Sequence, residues 1–260
     1  MNYCFPFGQE LKTVKQEDIK PKKIFVLGKY ASAVHAKWFS KDNEIKSQAL
    51  AVSSEPYIFW RGENADQIIS EIHIPKEAGF LLSADKRFNG PSGRALDEHY
   101  LLPLGYNRED AWLCDLVPYS CQNYKQKYSL EQSYNQLIKD NILPKYQMPK
   151  VPNGISDERR KEILSELFTS KAEKIILLGD DPIKWFLNHI SDCKMRSLRD
   201  FGDSLTSYGN EIEVKIAGNY FTVLPLVHPR QFAKLGTYIE KWYNLHLNWK
   251  IQAGKSDILH

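Results

Sequence analysis

The run PLVHP ends on His228, with Pro229 directly after it. A neutral imidazole donates a hydrogen bond from one ring nitrogen and accepts at the other. Proline at 229 keeps the preceding residue out of the α region, so the chain must turn at once and hold the ring at a strand rim. Arg230, Gln231, Phe232, Ala233 and Lys234 follow, predicting a cationic turn with one projecting aromatic. Upstream, Asp115 interrupts AWLCDLV with a carboxylate among apolar neighbours. Such a group is costly to bury without a donor, which either backbone or a ligand edge can supply. In FNGPSG, Gly90, Pro91 and Gly93 force an unusual path before a helix that opens near Ser92, with Phe88 at the lip of the turn. A ring in that place either stacks on a planar ligand or plugs the core beneath a glycine turn. Gly28, Lys29 and Tyr30 close the run KIFVLG and lead into small residues; they form either a ligand-approaching corner or an ordinary one with a solvated lysine. For Asp180-Asp181-Pro182, capping is the better reading than metal binding: Asp181 as N-cap, Pro182 at the first helical position.

The elements that must carry these residues are short apolar runs separated by helical patterns. KIFVLG, ALAVS, AWLCDLV, KIILLG and FTVLPLV read as buried parallel strands. Helices are predicted around 92–104, 129–142, 156–170 and 182–190 and from Tyr238 onward, and one is expected after the first strand as well. Within 156–170, Ile163, Leu164, Leu167 and Phe168 form an apolar stripe opposite Glu158, Arg159, Lys161 and Glu162. IEVKIAGNYFTVL predicts a hairpin centred on Gly218-Asn219. Alternating strands and helices imply an α/β fold, a three-layer αβα arrangement around a central, mostly parallel sheet. Ligands in such folds bind beyond the carboxyl ends of the strands, where His228 and Lys29 are expected.

At 260 residues the chain is read as one domain, with a core over about 23–236. Lys and Arg number 35 against 32 Asp and Glu, a balance of +3 that permits a nucleic-acid partner without requiring one. No apolar stretch approaches the roughly 20 residues needed to span a bilayer, and the start lacks a secretory pattern, so a soluble, cytoplasmic protein without membrane association is expected. Cys4, Cys114, Cys121 and Cys193 form no CxxC pair, so neither a metal nor another cofactor is expected.

Taken in order, these pieces resemble the uracil-DNA glycosylase superfamily. They are a strand running into a Gly-initiated motif, a Phe-x-Gly-x-x-Gly turn into a Leu-rich helix, a strand with a polar residue, a Leu-Gly strand, and a last strand ending in His-Pro. The likeness runs from about Ile24 to about Lys234. It implies a uracil-DNA glycosylase-like fold and a DNA glycosylase that extrudes a base from DNA, or takes a nucleobase-containing ligand, and hydrolyses the N-glycosidic bond. His228 would donate to the departing base, Lys29 and Tyr30 would occupy the catalytic first motif, and Phe88, Asp115 and Gly28 would hold the base. Gly90, Pro91, Ser92, Arg230, Gln231 and Lys234 would contact DNA, and Phe232 would enter the duplex as a wedge. A monomer is expected.

Three positions depart from that pattern. Lys29 and Tyr30 stand where the family's best-known members carry an acid or amide that positions water. Asp115 replaces an Asn; an ionised carboxylate only accepts, which disfavours uracil and suits an edge with two donors, whereas a protonated one suits cytosine-like edges. The four cysteines do not reproduce the iron–sulfur set of the most similar branch. The alternatives are a nucleic-acid or nucleotide-binding protein with impaired catalysis, and a lyase using Lys29 as nucleophile.

Overall fold

Runs of β-branched and aromatic residues become interior strands wherever both faces of a sheet are covered, and most of the apolar runs here do so. The computed structural model describes residues 3–232, 234 and 238–256. Among them the strands are β1 (Ile24–Tyr30), β2 (Ala33–Phe39), β3 (Ile45–Ser54), β4 (Phe80–Ser83), β5 (Ala111–Val117), β6 (Lys174–Leu178), β7 (Ile212–Ile216) and β8 (Asn219–Leu226). The helical segments are α1 (Ala65–Ser70), α2 (Pro91–Leu96), α3 (Tyr124–Ser129), α4 (Asn135–Lys139), α5 (Asp157–Ser170), α6 (Asp180–Pro182), α7 (Asn188–Ile190), α8 (Leu198–Phe201) and α9 (Glu240–Ser256). The protein is mixed α/β with a five-stranded, mostly parallel sheet, compatible with a three-layer α/β/α arrangement. The chain divides into two compact units: Met1–Val14, Tyr30–Pro91 and Pro118–Pro152 form one, and Lys15–Lys29, Ser92–Val117 and Asn153–His260 the other.

The second unit holds the five-stranded sheet, in the order β5-β1-β6-β8-β7. β1, β6 and β8 are parallel, with Leu27 opposite Leu177 and Leu178 opposite Leu226. Ile24 to Leu27, Ile175 to Leu178 and Val223 to Leu226 are buried, as strands covered on both faces must be. The predicted hairpin forms between β7 and β8, but its two-residue loop is Ala217-Gly218, one position earlier than the sequence suggested, with Ile216 opposite Asn219. Both loop residues carry positive φ, 46° and 92°, as a twist-matched two-residue turn requires. α5 begins where Ser156 caps it by accepting from the Arg159 N–H at 3.2 Å.

The first unit corrects three expectations. ALAVS is not a parallel strand but part of β3, in an antiparallel sheet of order β3-β2-β4. A short apolar run has no feature that fixes strand direction. VHAKWF, where a helix was expected after β1, lies in β2: Val34, Ala36 and Trp38 are buried and alternate with His35, Lys37 and Phe39, a period of two rather than 3.6. The core of this unit gathers Phe7, Trp38 and Tyr134 edge to face at 5.3 to 5.9 Å. The Tyr134 hydroxyl accepts from the Phe7 N–H at 2.7 Å and donates to the Pro144 carbonyl at 3.1 Å. α3 starts earlier than predicted because Asn123 caps it, accepting from the Gln126 N–H at 3.0 Å.

No helix among the described residues is long and apolar enough to cross a membrane.

Candidate functional site

His228 follows β8 by two residues, with φ −64° and ψ 138°, the extended conformation that Pro229 enforces. Its Nδ1 accepts from the Arg230 N–H at 3.1 Å. Burial, then the cations of Arg230 and Lys29, lower its pKa from the ordinary 6.5 to about 3. The ring is therefore neutral at physiological pH. With Nδ1 accepting, the single ring proton sits on Nε2. Nε2 has no hydrogen-bond partner among the described residues. The half-buried ring thus offers one N–H donor at the strand rim.

The strand register gathers neighbours around it. Gly179, just past β6, donates its N–H to the Leu226 carbonyl at 2.7 Å. It has φ +88°, and a Cβ placed on it would lie 3.5 Å from the His228 Cβ. Lys29, the penultimate residue of β1, forms an ion pair of 2.7 Å with Asp181 and lies 5.3 Å from the Trp185 ring centre. The amine that a lyase reading would use as nucleophile is engaged in this pair. The N-cap assignment is corrected: Gly179 is the N-cap of α6 and Asp181 lies in its first turn. Asp180 Oδ1 accepts from the Leu198 N–H at 2.7 Å. Gly28 is buried within β1, and Tyr30 closes that strand, half-buried.

Asp115, on β5, is 4 % exposed, and no hydrogen bond reaches its carboxylate oxygens from a described residue. Desolvation raises its pKa from 3.8 to about 7, against the pull of the nearby Arg159 guanidinium. Arg159 is spent elsewhere. It donates to the backbone carbonyls of Asp115 at 2.7 Å and Leu116 at 3.2 Å, and to Glu162 and Glu166 at 2.9 and 3.1 Å. Its side chain is 11 % exposed, so of the four residues placed opposite the apolar stripe of α5 it is drawn inward while Glu158, Lys161 and Glu162 are exposed. A helix arginine with acids three and seven residues on gives no sequence signal that it straps a strand. β5 and β8 stand three places apart in the sheet order, so their backbones are separated by about 14 Å.

In the loop after His228, Arg230 and Lys234 are exposed and Gln231 is half-buried, accepting from the Ile239 N–H at 2.9 Å. Lys234 lies 5.4 and 5.6 Å from the ring centres of Tyr238 and Tyr243. Ala233 and 235–237 lie outside the described residues. Phe232 does not project. Its ring stacks on His99 at 4.2 Å and meets His246, Tyr243 and Tyr100 at 5.0, 5.2 and 6.2 Å. The expectation of an exposed wedge is corrected by this cluster, which brings His99 and Tyr100, far upstream, against Tyr243 and His246 of the following α9.

Phe88 belongs to the first unit and is half-buried, with the Arg87 guanidinium 4.8 Å from its ring centre. The turn is fixed by Asn89, which sequence reasoning missed. Asn89 is 2 % exposed; its Oδ1 accepts from the His35 N–H at 2.8 Å and its Nδ2 donates to the His35 carbonyl at 2.9 Å. Gly90 has φ +68°, and a Cβ there would come within 2.0 Å of the Arg61 backbone, so no other residue fits. Pro91 and Ser92 open α2, both half-buried.

Among the described residues no group of three or more His, Cys, Asp or Glu side chains could hold a metal ion, and all four cysteines are free thiols. No protein-family model matches the sequence, and no curated protein matches it significantly.

Proposed function

We propose that the protein is an N-glycosyl hydrolase acting on a nucleobase in DNA, with the rim of the five-stranded sheet as its site. The observation that carries this reading is His228, a histidine kept neutral, with its proton on Nε2 and that N–H uncommitted among the described residues. Cleaving an N-glycosidic bond leaves negative charge on the base, and a fixed donor at the base oxygen or nitrogen stabilises that charge as it forms. A neutral donor does so without first losing a proton at physiological pH. Removing such a donor typically costs about 10²–10³ in rate.

Asp115 supports the reading from the other side of the sheet. Asp115 is 4 % exposed and its carboxylate accepts no hydrogen bond from any described residue, yet its oxygens are not wholly enclosed, so a ligand edge can reach and pair with them. A span of about 14 Å between strand backbones can be closed by an Asp and a His side chain holding one planar base. With a pKa of about 7, Asp115 offers two acceptors when ionised, and one donor with one acceptor when protonated. The first form suits an edge with two adjacent donors, as on guanine; the second suits an edge with one donor beside one acceptor, as on cytosine, uracil, hypoxanthine or xanthine.

A second reading draws on the Lys29–Asp181 ion pair. In the family that the sequence resembles, the end of the first strand carries a group that positions water. Here a lysine paired at 2.7 Å occupies it, which favours a protein that binds an extruded base without cleaving it.

The deciding experiment measures abasic-site formation on duplex and single-stranded oligonucleotides containing uracil, hypoxanthine, xanthine or cytosine. Excision of at least one of these bases, falling as pH rises through about 7 and Asp115 loses its donor, is the expected result. Binding of DNA with no product from any of them supports the second reading instead.

A further inference from the structure

His228 gains its aim from the residue before it. Both backbone polar groups of Val227 are held by phenols: its N–H donates to the Tyr208 hydroxyl at 2.9 Å, and its carbonyl accepts from the Tyr100 hydroxyl at 2.7 Å. The Tyr208 hydroxyl also lies 2.7 Å from His246 Nδ1, and His246 Nε2 lies 3.0 Å from the His99 carbonyl. A carbonyl only accepts, so the His246 proton is on Nε2 and Nδ1 takes the proton of Tyr208. With its own proton committed, Tyr208 can only accept from Val227. Every bond in the chain then has one direction. Burial lowers the His246 pKa to about 3, so the neutral ring persists, and the adjoining His99 Nδ1 lies 2.8 Å from the Lys250 ammonium.

The same cluster holds the chain beyond His228, since the Phe232 ring packs on His99, His246 and Tyr243. Tyr100, Tyr208 and His246 are buried, at 0, 5 and 0 % exposure. Filling volume alone would call for Phe or Leu, because buried polar groups are costly unless bonded. Here two of these hydroxyls converge on a single peptide group, and His246 orients one of them. His246 comes from α9, beyond the stretch that carries the family likeness.

The geometry points to Tyr100, Tyr208 and His246 as positioning residues that clamp the Val227 peptide and so aim the Nε2–H of His228. This rests on the N-glycosyl hydrolase reading, and the test separates the two. In full-length protein with ring-¹⁵N histidine, wild type shows His228 as a single neutral Nε2–H tautomer. In Tyr208→Phe, the ring keeps its place but the acceptor for Val227 is gone. The expected results are a second His228 tautomer or exchange broadening, and Val227 amide exchange faster by at least ~10-fold. Single-turnover excision falls by roughly 10–100-fold with half-saturating protein concentration unchanged. Tyr100→Phe removes only the bond to the Val227 carbonyl and carries the same readouts should Tyr208→Phe fail to fold. If either folded variant leaves the His228 ring spectrum and the Val227 exchange as in wild type, the clamp is refuted. If wild type excises no base, the hydrolase reading fails while the spectra still decide the clamp.

Discussion

Burial acts on the two principal side chains in opposite directions and drives both toward neutrality. It lowers the His228 pKa to about 3 and raises that of Asp115 to about 7. The folded state thus holds the Asp115 proton more tightly than the unfolded chain does. Its stabilising contribution is full below about pH 4 and is lost as pH rises through about 7. The shift from 3.8 to about 7 corresponds to roughly 4 kcal/mol at most. His228 and His246 act with the opposite sign: depressed values favour the folded state above about pH 6.5 and cost stability as pH falls toward 3. The difference between wild type and Asp115→Asn isolates the carboxyl. Urea unfolding from pH 4 to 8 is expected to show wild type losing stability relative to the variant as pH rises, with the variant lacking that loss; parallel curves would show that Asp115 ionises freely. His228 and Asp115 were legible in the sequence because each breaks a local pattern, a His-Pro at a strand end and a carboxylate in an apolar run. Arg159 was not, because an arginine among acids on a helix looks solvated until the strand it straps is seen.

Among the elements, the four runs that became β1, β5, β6 and β8 were legible because strands covered on both faces are apolar in near-continuous runs. The errors concern neighbours. ALAVS and VHAKWF pair with each other in an antiparallel sheet, and neither run alone encodes its partner. Phe232 was misread for the same reason: the ring it stacks on, His99, lies more than a hundred residues upstream, and α9 packs against the same ring. The Phe88 turn was legible through its glycines, but not through Asn89, whose two bonds to the His35 backbone depend on β2 being a strand. Gly90 is the sharpest test of this element. Positive φ and overlap with the Arg61 backbone together make Gly90→Ala cost about 3 kcal/mol or more. Chemical denaturation measures this directly, and a change below about 1 kcal/mol would mean that the turn adapts.

For the molecule as a whole, a formal charge of +3 means that the proposed DNA affinity would rest on local clusters rather than on a global field. The exposed Arg230 and Lys234, in the loop next to His228, are the cluster that the family resemblance would set against DNA. Neutralising both as Arg230→Gln/Lys234→Gln is expected to weaken duplex binding and to reduce the slope of log affinity against log salt by about 1.8, two phosphate contacts' worth. An unchanged slope would place the DNA elsewhere. The fold class could be read from the alternation of runs, whereas the division into two units could not, since each unit is assembled from three separate stretches of chain.

The most direct measurement is the single-turnover rate of abasic-site formation, on whichever base wild type excises, compared between wild type and His228→Ala at pH 7. A fall of about 10²-fold or more with DNA binding retained is expected if the Nε2–H stabilises the departing base. Equal rates in the two proteins, or no product from wild type on any base, would contradict the central role given to His228.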